Sequence, residues 1–260
     1  MRALLLSFLL LAACSEGDAT PSEAVPSPCS ARMFEESRFT ICDPGKGRLE
    51  LVAAARGEPV VRSLSDLEMR LGPRAANVAF AMNAGMYDED GRPIGLAIVE
   101  GRQKHAINRR KGGGNFHLMP NGVFQVHRHG RAEVVRSDRW KPSPTIRVAS
   151  QSGPMLVIDG KLHPAFDRDG SSRYTRNGVG LGPRGQALFV ISDGPVSLGK
   201  FARFFRDGLK ARNALFFDGA VSALWDPANG RRDMTRPLGP MVVGFKAEAS
   251  KPRRGDRARP

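Results

Sequence analysis

The chain has 260 residues, 41% of them apolar, with a formal net charge of +14 and a pI near 10.6. That much apolar material excludes a disordered chain and supplies a core for one large domain or two small ones. The charge points to an anionic partner, which can be a phosphorylated or acidic glycan, a nucleic acid or an anionic membrane surface. Arginines are spread along the whole chain and only two Trp and two Tyr are available for base stacking, so no specific nucleic-acid partner is expected.

Residues 1–13 read as a signal peptide: Met1-Arg2 is a minimal positive start, and Ala3 to Leu11 is an apolar stretch too short to span a bilayer as a mature helix. Leu11-Ala12-Ala13-Cys14 resembles a lipobox, so Cys14 is the expected lipidation site of an exported protein anchored in the bacterial envelope. Ser15 then favours the outer membrane, with the protein facing the periplasm. Residues 14–28, rich in Ser, Pro, Glu, Ala and Thr, read as a disordered tether. The remaining pair, Cys29 and Cys42, is expected to form a disulfide, closing a loop worth about 3 kcal/mol. With no histidine beside them, these two cysteines make a poor zinc site.

Leu49 to Ala54 is the first well-marked strand. Ser65 to Leu71 is a helix candidate, with Ser65 as N-cap and Glu68 three residues on. The apolar run Val78 to Met82 delivers Asn83 and then Gly85. Asp88 to Gly91 is a turn lacking most of a calcium loop's ligands, and Gly95 to Glu100 is a strand. Arg109-Arg110-Lys111 runs into three glycines and Asn115, which suits either an anion-binding loop or a solvated one. Asn121-Gly122 reads as a hairpin turn into Val123 to Val126, and His127 and His129 as a polar strand surface rather than a metal centre. Met155 to Ile158 is a strand closed by Asp159-Gly160. The segment Asp167 to Arg176 is dense in arginine, and Gly178, Gly180 and Gly182 suggest a strand edge approached closely by another backbone or a ligand. Leu188 to Ile191 is a strand that stops at Ser192-Asp193-Gly194.

Ser197 to Lys210 is the best helix, with Phe201, Phe204, Phe205 and Leu209 on one face and Lys200, Arg203, Arg206 and Lys210 elsewhere. It leads into the buried strand Ala214 to Phe217, and Asp218-Gly219 follows at once. Taken alone, Asp218 is either a turn residue or a carboxylate with a chemical task. Met241 to Phe245 is the last strand, and residues 247–260 read as a disordered basic tail. The fold class is α+β: a single strand-rich mixed domain, residues 29–246, with a long amphipathic helix packed on the sheet.

Several fragments in order, namely Asn83-Ala84-Gly85-Met86-Tyr87, Asn115-Phe116 with Pro120 to Phe124, Ser152 to Val157, Arg176-Asn177-Gly178-Val179-Gly180 and Phe217 to Ser222, together resemble the phosphodiester glycosidases, the family of the lysosomal uncovering enzyme. The resemblance is to an exported bacterial branch. It implies an envelope-anchored hydrolase of sugar-1-phosphodiester linkages in a glycan; no cofactor is expected and no residue is assigned as a metal ligand. Asp218 first and Asp193 second would supply the catalytic carboxylate. Asn83, Arg109, Asn115, Arg173, Arg176 and Ser222 would bind the substrate, the arginines by neutralising its phosphate. Where the family has Asp-Gly-Gly-Gly-Ser, this chain has Ala220 and Val221 in place of two glycines, which implies a narrower pocket or another ligand. The alternative is a non-catalytic anionic-glycan-binding lipoprotein of the same fold.

Overall fold

The computed structural model describes residues 27–234 and 237–247. The expected signal peptide, Cys14, nearly all of the tether and all but the first residue of the basic tail lie outside the described residues. Strands dominate, and they assemble into three antiparallel sheets. The seven-stranded sheet runs Cys29–Phe34, Ser37–Cys42, Ala187–Ser192, Asn177–Leu181, Ala214–Asp218, Met155–Ile158, Lys161–Leu162. A five-stranded sheet runs Arg231–Arg232, Leu224–Asp226, Val78–Asn83, Met241–Phe245, Leu49–Val52. Another of five runs Arg102–His105, Ala97–Val99, Ile146–Ser152, Gly122–His127, Ala132–Arg136.

Phe80, Phe124, Phe189 and Phe217, drawn from all three sheets, meet in one aromatic core with ring centroids 5.2–6.5 Å apart. The strand Ala214–Asp218 is apolar throughout its first four residues because both its faces are covered. Leu215 and Phe217 enter that core, while Ala214 and Phe216 belong to a second cluster beneath a helix. The helix is α2, Leu198–Arg203, capped by Ser197, whose Oγ accepts the Lys200 N–H at 3.1 Å. It continues only as a five-residue π-turn, Phe204–Gly208, and Lys210 takes a left-handed φ of 56°. The long amphipathic helix expected over Ser197 to Lys210 is therefore a short one. The wider π-turn lets both Phe204 and Phe205 reach the core, and Phe204 stacks on Phe39 at 4.0 Å.

Gly178 and Gly180 lie in a central strand, not at an edge, and the close approach the sequence suggested comes from the π-turn after α2 and from the neighbouring strand's backbone. A β-carbon at Gly180 would stand 2.6 Å from the Phe205 ring, and one at Gly178 would stand 2.5 Å from the Leu215 carbonyl oxygen. The other helix, α1 (Leu64–Leu71), is capped by Ser63, whose Oγ accepts the Asp66 N–H at 3.0 Å, rather than by Ser65. Leu64, Leu67 and Leu71 must all face Val78, Ala81 and Trp225, which sets the first turn earlier than the sequence suggested. Asn121 is fully buried, donating to Phe116 O at 2.9 Å and accepting from Ser137, so it is no exposed hairpin turn. Cys29 and Cys42 face each other across the first hairpin and are joined by a disulfide. Among the described residues no helix is long and apolar enough to cross a membrane.

Candidate active site

Register brings the site together. Asn177 pairs with Ile191 on one side and Asp218 on the other, so the strands carrying Arg176, Ser192 and Asp218 meet at one end of the large sheet. Arg176 continues the alternation of Gly178 and Gly180 on the α2 face, while a register shift between Asn177 and Gly178 sets Asp218 opposite Asn177.

Asp218 Oδ1 accepts the N–H groups of Gly219 at 2.6 Å and Ala220 at 3.0 Å. Burial pushes its carboxyl above the usual 3.8, against the opposing pull of the Gly219, Ala220 and Val221 N–H groups and the Arg176 charge. Among the described residues Asp218 makes no ion pair within 4.0 Å. Arg176 is 1% exposed. Its Nε donates to Val196 O at 2.7 Å and its Nη2 to Ser172 O at 2.8 Å and Ser172 Oγ at 3.3 Å. Tyr174 and Phe216 bracket the guanidinium, each ring 5.5 Å away. Burial lowers Arg176 to about 10, still a cation at neutral pH. Its Nη1 points toward Gly219, where a β-carbon would stand 2.8 Å from it. Tyr87 completes the wall: its hydroxyl donates to Pro237 O at 2.6 Å, and burial followed by the Asp218 charge raises its pKa.

Beneath these groups an amide pair fixes the loop. Asn83 Nδ2 donates to Val221 O at 2.6 Å and to Asn177 Oδ1 at 3.3 Å; Asn83 Oδ1 accepts from Ala223 N at 3.0 Å and from Asn177 Nδ2 at 3.0 Å. Asn83 is 0% exposed and its amide is fully engaged, so it is placed to hold the loop rather than a ligand. Ser222 Oγ, also buried, donates to Asp218 O at 3.2 Å and Asn177 Oδ1 at 3.4 Å. Ser152 Oγ holds Phe217 O at 2.8 Å.

The other expected site residues lie apart. Asp193 is separated from Asp218 by the strand Asn177–Leu181 and engages Arg231 at 2.7 Å, Arg38 at 3.3 Å and Thr40 Oγ1 at 2.9 Å. Arg109 is tied to Ser137 O at 2.8 Å and Trp140 O at 2.9 Å in the third sheet. Asn115 is exposed on a 3-10 turn over Gly153, and Arg173 is exposed beside Ser172 and Tyr174. Of the replaced glycines, Ala220 is exposed and Val221 packs with Ala223, Trp225 and Leu238, so Val221 fills the second sheet's core rather than narrowing the pocket. Sequence reasoning passed over Asn177, Tyr87 and Tyr174. The first two sat inside the quoted fragments; Tyr174 carried no signal.

A roomier surface cavity, about 690 Å³, lies at the opposite end of the sheets, where the strand Ala187–Ser192 begins. Arg48 and Arg147 there share the single carboxylate of Glu100 at 3.0 and 2.9 Å, and neither Asp218 nor Arg176 lines this cavity. No group of three His, Cys, Asp or Glu among the described residues could hold a metal ion.

Over 148 residues the chain is 39% identical to the uncharacterised protein YigE of Escherichia coli (strain K12), a match covering 57% of this chain and 58% of that protein. The fold is similar to the crystal structure of a hypothetical protein from Synechocystis, with a TM-score of 0.53 at 11% identity over 84% of this chain and 61% of that one. In both, the chain matches less than two thirds of the relative's length. The family model described as phosphodiester glycosidase matches residues 76–243, a span that holds Tyr87, Arg176 and Asp218 together with the amides that fix them, and the chain belongs to that family.

Proposed function

We propose that this protein hydrolyses sugar-1-phosphodiester linkages in a glycan, with Asp218 and Arg176 as its reaction centre. The observation that carries the reading is a half-buried carboxylate, Asp218, next to Gly219, toward which the buried Arg176 guanidinium points its Nη1, the two charges not being joined as an ion pair. Unpaired buried charges are costly unless a ligand or a reaction uses them. A phosphodiester monoanion at Arg176 Nη1 supplies the missing counter-charge. Water then loses its proton to Asp218 as its oxygen bonds to the anomeric carbon. The bond from that carbon to the phosphate oxygen breaks, and the phosphate keeps the electron pair. Phosphate leaves readily, so strong general-acid help is unnecessary. Asn83, Asn177 and Ser222 act by positioning the Asp218 loop. Asp193, Arg109 and Asn115 are assigned no role in this reading. Lipidation at Cys14, delivery to the envelope and an anionic glycan partner complete the proposal.

The test is a panel of sugar-1-phosphodiesters incubated with the full chain and with Asp218→Asn. The variant keeps its fold and loses about 10²- to 10⁴-fold in turnover. Retained turnover removes Asp218 from the chemistry. Tight binding of anionic glycans without any sugar release favours the non-catalytic alternative.

A further inference from the structure

The end of the sheets opposite Asp218 carries a basic face. Two open hollows there share Lys46 and Arg48; Arg128 and Arg147 line the first, Arg74 and Lys246 the second. Strand register sets this end apart: Ala187 pairs with Leu181, Gly244 with Leu49 and His127 with Ile146, each at the far end of its sheet from the Asn177–Asp218 and Met241–Asn83 pairs. Three carboxylates are mixed in. Glu50 takes Arg48 at 3.2 Å and Arg74 at 2.6 Å, and Glu100 takes Arg48 at 3.0 Å and Arg147 at 2.9 Å. Asp43 accepts the Gly45 N–H at 2.8 Å. Lys46, Arg128 and Lys246 are exposed and make no ion pair among the described residues. With six cations against three carboxylates, the face keeps a net charge of +3.

Both ends of the described fold leave through this face. The Asp43 N–H donates to Pro28 O at 2.9 Å, so the chain that follows the expected lipidation site at Cys14 joins the fold beside the first hollow. At the other end the Phe245 N–H donates to Arg48 O at 2.8 Å and the Lys246 N–H to Asn77 O at 2.9 Å, and Ala247 lines the second hollow. Residues 248–260 then add five Lys or Arg against Glu248 and Asp256. A soluble polyanion needs no particular end of the molecule. A membrane does, because a chain held at its start presents the end from which that start emerges, and an anionic bilayer attracts Lys and Arg only within about a Debye length, roughly 8 Å. Basic face, tether and basic tail coincide at one end, which is the arrangement a bilayer selects.

We propose that this face docks on the anionic phospholipid headgroups of a bilayer, with Lys46, Arg128 and Lys246 as its principal contacts and the Asp218 end turned away from the membrane. Docking of this kind does not depend on the phosphodiester chemistry. The experiment is co-sedimentation of the full chain with vesicles of phosphatidylcholine alone and with vesicles of phosphatidylcholine and phosphatidylglycerol in equal parts. The ratio of the two binding constants cancels the contribution of the apolar start, which both vesicles share. Each cation near an anionic surface is worth about fivefold, so three give the anionic vesicles a preference of about a hundredfold, which falls steeply as salt is raised. The triple variant Lys46→Glu, Arg128→Glu, Lys246→Glu brings the ratio close to one. Lys46→Glu alone, at an exposed side chain whose change leaves the core intact, lowers it about fivefold or more. Reversing three exposed cations elsewhere, Arg110→Glu, Lys111→Glu and Arg139→Glu, leaves most of the preference in place. Equal binding of the wild type to both vesicles overturns the proposal. An equal loss in the two triple variants overturns it as well, since the attraction is then one of net charge and not of this face. Loss of heparin binding in the face variant, with the vesicle preference unchanged, assigns the face to a soluble polyanion and has the same result.

Discussion

In an Asn83→Ala variant the Val221 carbonyl and the Ala223 N–H lose the partner that holds them at 2.6 and 3.0 Å. Both groups sit in a region where Asn83, Ala223 and Asn177 are at most 1% exposed, so water does not replace the amide freely. A buried polar group left without its hydrogen bond costs about 1–3 kcal/mol, and two of them make about 2–6 kcal/mol. Asn177 keeps its Nδ2 bond to Asn83 O at 2.6 Å, because that acceptor is backbone, and the bond its Oδ1 accepts from Ser222 Oγ at 3.4 Å. With a urea dependence of about 2–3 kcal/mol per molar, the unfolding midpoint falls by roughly 0.7–3 M. Equilibrium urea unfolding followed by tryptophan fluorescence measures it, with sugar release from the diester panel recorded on the same preparations. Turnover falls because the Asp218 loop is less well held, whereas KM changes little. An unchanged midpoint together with a KM raised more than tenfold would refute the reasoning and make Asn83 a ligand contact.

The Asp218 carboxyl titrates above 3.8 because of its burial, and a general base must be ionised to work. The acid limb of kcat/KM therefore falls as pH drops through a value higher than 3.8, and a limb at or below 3.8 contradicts the assignment. Glu35 is held below its usual 4.5 first by the hydrogen bond from Arg203, an opposing desolvation being the smaller effect. Its contribution is complete above pH 4.5 and is lost as pH falls through the lower folded-state value. Glu35→Gln leaves the Arg203 charge, 4% exposed, without its closest counter-charge, at about 1–3 kcal/mol, a range kept low because Glu35 itself is partly exposed. Thermal unfolding of wild type and variant should differ at pH 7, and the difference should shrink as pH falls below 4.5 through the folded-state value of Glu35.

What could be read from the sequence was whatever local pattern determines. The run Ala214 to Phe217 declared a strand covered on both faces, and Phe201, Phe204 and Phe205 declared a helix lying on a sheet, because burial imposes periodicity on neighbouring residues. Ends were less legible. Ser63 and Ser65 are both able caps, and only the need to bury Leu64 against the second sheet chooses between them. The candidate site was legible where the carboxylate closes a strand and the guanidinium stands just before one, and illegible where pairing is between distant residues. Asn83 and Asn177 are 94 residues apart, and nothing near either announces that their amides saturate each other. Asp193 looked equivalent to Asp218, since each follows an apolar strand. Only the sheet order reveals that Arg38 and Arg231 reach the first and not the second.

The residues after Asp218 carry the chain out of the seven-stranded sheet, and Leu224 begins the strand that enters a five-stranded one. Asp218 to Ala223 is therefore a crossing between two sheets, stitched to both by Asn83, Asn177 and Ser222. A carboxylate on such a crossing has no lid's freedom. Its geometry exists before any substrate arrives, and the ligand must fit the crossing rather than mould it. Substitutions along this bridge are expected to be tolerated best where the side chain points away from Asp218. Ala220, open to solvent, and Val221, turned into the neighbouring core, are two such positions.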